Sequence, residues 1–174
     1  MKITILRFLL SLTNPDSLAG NRFFPMPFWL KRYLSRLSMP ERIALYSQLC
    51  VGVDLSMIAP DELGCAESVS RLLNTLDEQT PIVLGTWTLN DYILKNKNRF
   101  EILNKAEDGC IVIAVTGTGN GKIKNGHVGF YVKGRVLSNN SYTGKFDNHY
   151  PLEAFVARYY GVGGFTIRFY KVKN

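Results

Sequence analysis

One cysteine stands where the chain predicts the start of a helix. Cys65 follows the turn-prone stretch 60–64 and precedes apolar residues at helical spacing, namely Val69, Leu72, Leu73 and Leu76. Asp61 is the candidate N-cap, because Pro60 disfavours a helix that continues from upstream. Unpaired N–H groups and the positive dipole end of a first helical turn favour thiolate over thiol. Cys65 is therefore a candidate nucleophile, and a small buried hydrophobic residue is the competing interpretation.

A cysteine nucleophile needs a base that titrates near neutrality, and histidine is the side chain suited to that task. The chain has two histidines. His127 begins a β-like run directly after a glycine-rich loop, where it can face a cleft. His149 lies in the polar segment 146–150 and has no such support. His127 is therefore the candidate base, although a lone histidine is more often structural than catalytic.

A catalytic histidine is usually oriented by a polar group on its second ring nitrogen. Lys133-Gly134 fits a tight hairpin turn between the His127 strand and the next strand. Counting outward from that turn places Asn140 directly opposite His127 and Asn139 one residue short. Either amide is a candidate for the orienting group, and ordinary strand-end residues are the alternative interpretation of both.

The glycine-rich segment 116–122 matches neither phosphate-binding fingerprint. Ile123 stands where the Ser or Thr of a P-loop is needed, and no helix is predicted to follow. Lys122 stands where a dinucleotide fingerprint requires its third glycine. The segment is better interpreted as a flexible loop between two strands, at the rim of a cleft beside His127.

The elements that must position these residues change character along the chain. Helices are predicted over 28–37, 39–50, 65–76, 88–96 and 151–160, the fourth from a capping box of Thr88 and Asp91. Alternating β-rich runs follow at 100–104, 110–116, 127–133, 135–141 and 165–172. Helices before strands predict an α+β fold, with N-terminal helices packed on a mainly antiparallel sheet. Residues 1–60 are interpreted as a helical, aromatic-rich extension and residues 61–174 as the chemical unit, the two forming one compact body.

Composition limits the classes of function. With 174 residues, of which 46% are hydrophobic and 20% charged, the chain is expected to fold around a core. A net charge of +7 favours an anionic partner such as nucleic acid, a membrane surface or a cell wall, and the scattered lysines disfavour nucleic acid. Three cysteines without a CxxC pattern predict no metal site, and no cofactor is expected. The apolar stretch Ile3–Leu10 is too short for a membrane span and makes a poor signal peptide.

Gly64-Cys65-Ala-Glu-Ser-Val, followed by Gly126-His127-Val-Gly-Phe-Tyr and then a polar residue on the paired strand, resembles the papain-like cell-wall hydrolases of phages and bacteria. These are the NlpC-type peptidases and the CHAP (cysteine, histidine-dependent amidohydrolase/peptidase) amidases. The resemblance covers residues 61–172, about two-thirds of the chain. It implies a papain-like fold, with Cys65 as nucleophile, His127 as base and Asn139 as orienting residue; Asn140 is the alternative.

The same resemblance has two departures. NlpC-type enzymes usually have an aspartate before the cysteine, and here that residue is Gly64. Papain-type enzymes place an oxyanion glutamine six residues before the cysteine, and here that residue is Ala59. The N–H of Cys65 would supply one oxyanion donor, and the second donor has no candidate.

These features together predict a cysteine hydrolase that cleaves an amide or peptide bond of peptidoglycan through an acyl-enzyme. The expected partners are peptidoglycan and phage or secretion-machinery proteins, without nucleic acid or a membrane span. The expected place of action is the cell wall, reached as a virion-associated or exported protein. Amidase and endopeptidase activity remain open, as do a protease acting on protein and a transglutaminase-like transfer. The alternative is a non-catalytic structural or wall-binding module on the same fold, and contact between Cys65 and His127 in an open cleft separates the two hypotheses.

Overall fold

A computed structural model describes residues 4–5, 26–60 and 63–174. Helices α1 (Phe28–Leu34), α2 (Met39–Leu49), α3 (Cys65–Leu76) and α4 (Thr86–Lys95) lie before the sheet in the chain. The Ser38–Glu41 capping box begins α2, where the side chain of each residue bonds the backbone of the other. No helix within the described residues combines the length and the apolar character that a membrane span requires.

The second half of the chain forms a six-stranded sheet. Its strands are β1 (Phe100–Leu103), β2 (Ile111–Ala114), β3 (His127–Val132), β4 (Arg135–Asn139), β5 (Phe146–Pro151) and β6 (Ile167–Val172). They lie in the order β1-β6-β2-β3-β4-β5, and each of these neighbouring pairs is antiparallel. Helix α5 (Leu152–Val156), continued by the π-helix Ala157–Val162, connects β5 to β6. The prediction of an α+β protein with a mainly antiparallel sheet is confirmed.

The sheet separates two apolar clusters, because successive strand residues point to opposite faces. On the helical face, α1–α4 pack against strand residues that include Ile111, Val128 and Phe130. On the aromatic face, strand residues such as Val112 and Val136 pack against Phe155, Tyr159 and Phe165. Helices from residues 26–60 and from the later segment share the cluster of the helical face.

The hairpin between β3 and β4 has the predicted turn and register. Lys133 and Gly134 both have positive φ, at 49° and 84°, as a two-residue type I′ turn requires. Phe130 pairs with Leu137 and Val132 with Arg135. The count that places Asn140 opposite His127 therefore follows the observed register.

Several predictions of elements differ from the structure, and helix α1 ends at Leu34 rather than at residue 37. Helix α4 begins at Thr86 rather than Thr88, because the Thr86 hydroxyl ties the helix start to the end of β2 through Thr116. The polar segment around 146–150 is strand β5, which the sequence pattern did not reveal. The predicted helix 151–160 ends as a π-helix at Val162. Asp61, the expected N-cap of α3, lies outside the described residues, and Gly64 directly precedes the helix.

Candidate active site

Cys65 is the first residue of α3 and lies in the wall of a cavity of about 230 Å³. The other walls come from Leu63, from residues 84–87 at the start of α4, and from Thr116, Asn125 and Gly126 at the ends of the β2–β3 loop. This space is called the Cys65 cavity below. The glycine-rich loop thus borders a cleft, as predicted, but through its ends and beside Cys65.

Two glycines allow the close packing around this cavity. A Cβ atom on Gly64 would lie 2.4 Å from Ser56 Oγ and 3.0 Å from Asn139 Nδ2. A Cβ on Gly126 would lie 2.0 Å from the carbonyl oxygen of Ala114. Neither position has room for a side chain, which gives a physical reason for glycine where NlpC-type enzymes usually have aspartate.

The thiol of Cys65 has opposing influences on its pKa. Burial is the largest and raises the pKa to about 11. The backbone N–H groups of Val128, Ala66 and Cys65 itself lower it, but by less. The prediction that the helix start makes Cys65 a thiolate is wrong for this conformation, because the donors are present but burial outweighs them.

The ladder between β3 and β4 opens beside this thiol. Its pairing runs from the turn to Phe130 and Leu137. Farther along, the N–H of Val128 approaches the Cys65 sulfur, and Ser138 Oγ donates to the Val128 carbonyl at 2.5 Å. The N–H of Val128 belongs to the peptide group that joins it to His127. The fold therefore brings the backbone of His127 next to Cys65.

The imidazole ring of His127 lies on the aromatic face, whereas Val128 points to the helical face. Its ring stacks on Tyr159 with centroids 5.5 Å apart and planes inclined by 4°. Phe155 and Tyr150 approach the same ring, at centroid distances of 6.1 and 6.0 Å. In this conformation the sheet separates the ring of His127 from the thiol of Cys65.

Ser138 is the polar partner of the His127 ring, with 2.8 Å between Oγ and Nε2. Because the Ser138 hydroxyl donates its single hydrogen to Val128, the hydrogen-bond network assigns the hydrogen of the neutral ring to Nε2. Nδ1 is then the acceptor nitrogen. Sequence reasoning missed Ser138 because it considered only residues near the directly opposite position. Diagonal neighbours on the same face of a sheet also touch, and Ser138 is the diagonal neighbour of His127.

The two predicted orienting residues lie on different faces. Asn139 is 1% exposed and lies near Gly64, on the same side as Cys65. Asn140 donates from its side chain to Asp147 at 3.3 Å and accepts the N–H of Tyr142 at 3.0 Å. The structure thus brings Asn139 toward the nucleophile and uses Asn140 in the turn that follows β4. The side chain of His149 lies outside the description.

Glu67 is a second residue that sequence reasoning missed. Its carboxylate is fully buried and accepts N–H bonds from Met57, Ile58 and Ala59, and it pairs with Arg71 at 2.5 Å. Burial alone would raise its pKa, but these donors and the guanidinium lower the pKa to about 2. The Ala59 N–H, at the position of the papain-type glutamine, is therefore committed to Glu67. A glutamate four residues before an arginine in a helix was the available sequence signal.

Among the described residues, no group of three or more His, Cys, Asp or Glu side chains is arranged to hold a metal ion. Comparisons of the chain with protein-family models, curated proteins and solved structures find no significant match. The geometry and chemistry of the site are therefore the grounds for a functional proposal.

Proposed function

We propose that this protein is a cysteine hydrolase that cleaves an amide or peptide bond of peptidoglycan, on a papain-like fold of the NlpC and CHAP kind. The position of the Cys65 sulfur carries the proposal. It lies at the start of a helix, in the wall of a cavity with an exposed rim, and beside the peptide group of His127. A helix that begins with cysteine and a later antiparallel strand that begins with histidine follow the order of those hydrolases.

In the proposed reaction, the unprotonated ring nitrogen of His127 takes the thiol proton and the sulfur attacks the carbonyl carbon of the substrate. The N–H of Cys65 donates to the oxyanion that forms. His127 then returns the proton to the leaving amine, and the C–N bond breaks to leave a thioester on Cys65. Water activated by His127 hydrolyses the thioester and restores the thiol.

This chemistry requires the His127 ring to leave Tyr159 and reach the sulfur. The start of β3 permits such a change, since His127 pairs with Ala114 on β2 but lies beyond the paired part of β4. An imidazole beside the sulfur would stabilise the thiolate as an ion pair and lower its pKa. Substrate in the cavity would then meet a nucleophile that the unliganded conformation keeps as a thiol.

The test is digestion of purified peptidoglycan, with mass spectrometry of the released fragments. The wild type and Cys110→Ala are expected to release the same fragments and Cys65→Ala none; Cys110 is a buried free cysteine on the aromatic face and serves as the matched control. The fragment masses would distinguish an amidase from an endopeptidase. Absence of fragments from the wild type, across walls of several chemotypes, would refute the proposal.

The second candidate is a non-catalytic wall-binding or virion-type module on the same fold. Two observations favour it, namely the thiol pKa of about 11 and the separation of the His127 ring from Cys65. The net charge of +7 suits an anionic wall in either case. Cosedimentation with insoluble peptidoglycan distinguishes the two, since a module would bind equally as wild type and Cys65→Ala and release nothing. Under both proposals the protein acts at the cell wall, as a virion-associated or exported protein.

A further inference from the structure

Two threonine hydroxyls in the wall of the Cys65 cavity form a bonded pair. The Oγ1 atoms of Thr86 and Thr116 are 2.8 Å apart. The N–H of Thr116 donates to Thr86 Oγ1 at 3.0 Å, and the N–H of Gly126 donates to Thr116 Oγ1 at 2.8 Å. These two hydroxyls are called the threonine pair below.

The threonine pair has one hydrogen more than its bonds use. Each hydroxyl carries one hydrogen, and the bond between the two hydroxyls uses only one of them. The backbone N–H groups occupy acceptor positions and take no hydroxyl hydrogen. Among the described residues, no acceptor receives the second hydrogen. Since Thr86 Oγ1 donates to Thr116 Oγ1, the second hydrogen belongs to Thr116. Thr116 is partly buried and lines the cavity, so the cavity is where an acceptor for that hydrogen would bind.

The rest of the cavity wall, as far as the described residues form it, is uncharged. Its rim carries three exposed apolar side chains, Leu63, Leu84 and Trp87, of which Trp87 is 62% exposed. Among the described residues that line it, none is Asp, Glu, Lys, Arg or His. A charged group entering it would lose hydration without gaining a counter-charge, which is costly. The volume of about 230 Å³ lies below the roughly 300–1,000 Å³ of drug-sized sites and suits a short group.

We propose that the Cys65 cavity is a binding subsite for an uncharged acyl or short peptide group. The carbonyl oxygen of that group accepts the spare hydrogen of the threonine pair, and its apolar part packs on Trp87. The inference rests on the proposed function only where it takes this group as the acyl side of the bond that Cys65 attacks. Binding itself requires no turnover.

The experiment uses ¹⁹F NMR on the full chain carrying Cys65→Ala and labelled with 5-fluorotryptophan. The chain has two tryptophans, so Trp87 reports on the cavity and Trp29, packed against the core of the helical face, is an internal control. The probes are the N-acetyl methylamides of alanine (both enantiomers), glutamate and lysine. We expect a saturable shift of the Trp87 resonance with an alanine probe, an unchanged Trp29 resonance, and binding of the charged probes weaker by about tenfold or more.

Two double variants test the threonine pair. The double variant Thr86→Val with Thr116→Val removes both hydroxyls and is expected to weaken binding of the alanine probe about five- to tenfold. Thr86→Ser with Thr116→Ser keeps both hydroxyls and is expected to bind nearly as the parent does. An unchanged Trp29 resonance checks that each variant is folded. If the valine variant does not fold, the charged-probe comparison still decides the proposal.

Equal binding of charged and neutral probes, or no saturable shift of Trp87, would overturn the subsite. Unchanged affinity in a folded valine variant would overturn the role of the threonine pair. The outcomes also separate this inference from the proposed function. Probe binding without peptidoglycan cleavage supports the subsite and rejects the hydrolase, whereas cleavage without probe binding does the reverse.

Discussion

The Cys65 sulfur lies beside the peptide group that joins His127 to Val128, yet the thiol and the imidazole lie in contrasting surroundings. The thiol borders a cavity on the helical face whose described lining residues are uncharged, and it receives backbone N–H groups. The imidazole lies among aromatic rings on the other face and bonds Ser138. The difference shows that a fold can bring two residues of a catalytic pattern together without bringing together the atoms that react.

The contacts that hold the His127 ring are individually modest. The stack on Tyr159 contributes about 1 kcal/mol beyond area burial, and the bond to Ser138 about another 1 kcal/mol. Together they would reduce the population of a ring turned toward Cys65 by roughly 30-fold. Favourable contacts with substrate are large enough to offset such a preference, which is why both functional candidates remain worth testing.

The largest expected effect is on stability and concerns the buried Glu67 carboxylate with its hydrogen bonds and its ion pair with Arg71. Glu67→Ala would leave Arg71 and the N–H groups of the 57–59 loop without their acceptor in a buried setting. We expect the free energy of unfolding to fall by about 3–5 kcal/mol, measured by denaturant titration. Asp91→Ala, which removes an exposed pair with Lys95 at the same helical spacing, is the control and should cost less than about 1 kcal/mol. Similar losses in both variants would contradict the role given to Glu67.

Acid should weaken the interactions of Glu67 by protonating its carboxylate. The folded pKa of Glu67, about 2, lies below its ordinary value of 4.5, so its stabilisation is present above about pH 4.5 and is lost as the pH falls toward 2. We expect the wild type to lose about 3 kcal/mol more than Glu67→Gln over that range. Denaturant titrations at intervals between pH 2 and pH 6 measure this difference. Parallel pH profiles for the two proteins would count against it.

Alkylation of Cys65 distinguishes the observed conformation from one in which Cys65 and His127 form an ion pair. A thiol of pKa about 11 reacts through a small thiolate fraction, so the rate with iodoacetamide should rise about tenfold per pH unit from 7 to 9. A Cys65–His127 ion pair would instead give a rate that is already level near pH 7. Peptide mapping by mass spectrometry follows Cys65 separately from Cys50 and Cys110. A level profile would mean that the ring has reached the sulfur in solution.

The smallest expected effect is the loss of stability when Ser138, on the aromatic face, is changed. Ser138→Ala removes the acceptor of His127 Nε2–H and a donor to the Val128 carbonyl, so we expect a loss of about 1–2 kcal/mol in unfolding free energy. Ser141→Ala, at an exposed position on the following turn, should change it by less than about 0.5 kcal/mol. NMR of the imidazole nitrogens provides a second measurement, since the tautomer preference of His127 should weaken only in Ser138→Ala. An unchanged tautomer preference would show that Ser138 does not orient the ring.

Local patterns predicted much of the secondary structure. Helix α3 and the turn at Lys133-Gly134 depend on short-range spacing and on residues that tolerate positive φ, and both were predicted within a residue. Strand β5 was missed because its polar sequence lacks an apolar alternation, and its pairing with β4 is interrupted by an irregularity between Val136 and Ser138. Tertiary pairing overrode a weak local signal there.

The sequence pattern predicts only in part the face of the sheet on which the His127 side chain lies. Val128, Phe130 and Val132 form an apolar set that alternates with His127, a pattern that places the histidine on the face opposite the set. We instead expected His127 to face a cleft shared with Cys65. That Phe155 and Tyr159 would pack against the ring depends on helix α5 and the π-helix that continues it, which begin more than twenty residues later, and no local pattern reveals this.

The sequence by itself determined that Cys65 begins a helix, that His127 begins a strand of an antiparallel sheet, and which residues lie opposite it, because spacing and turn chemistry are local. Only the tertiary structure decided whether the Cys65 thiol is protonated and on which face of the sheet the His127 ring lies. The thiol pKa depends on how deeply distant segments bury Cys65, and that burial outweighs the local influence of the helix start. The ring position depends on rings from remote elements that pack on the aromatic face.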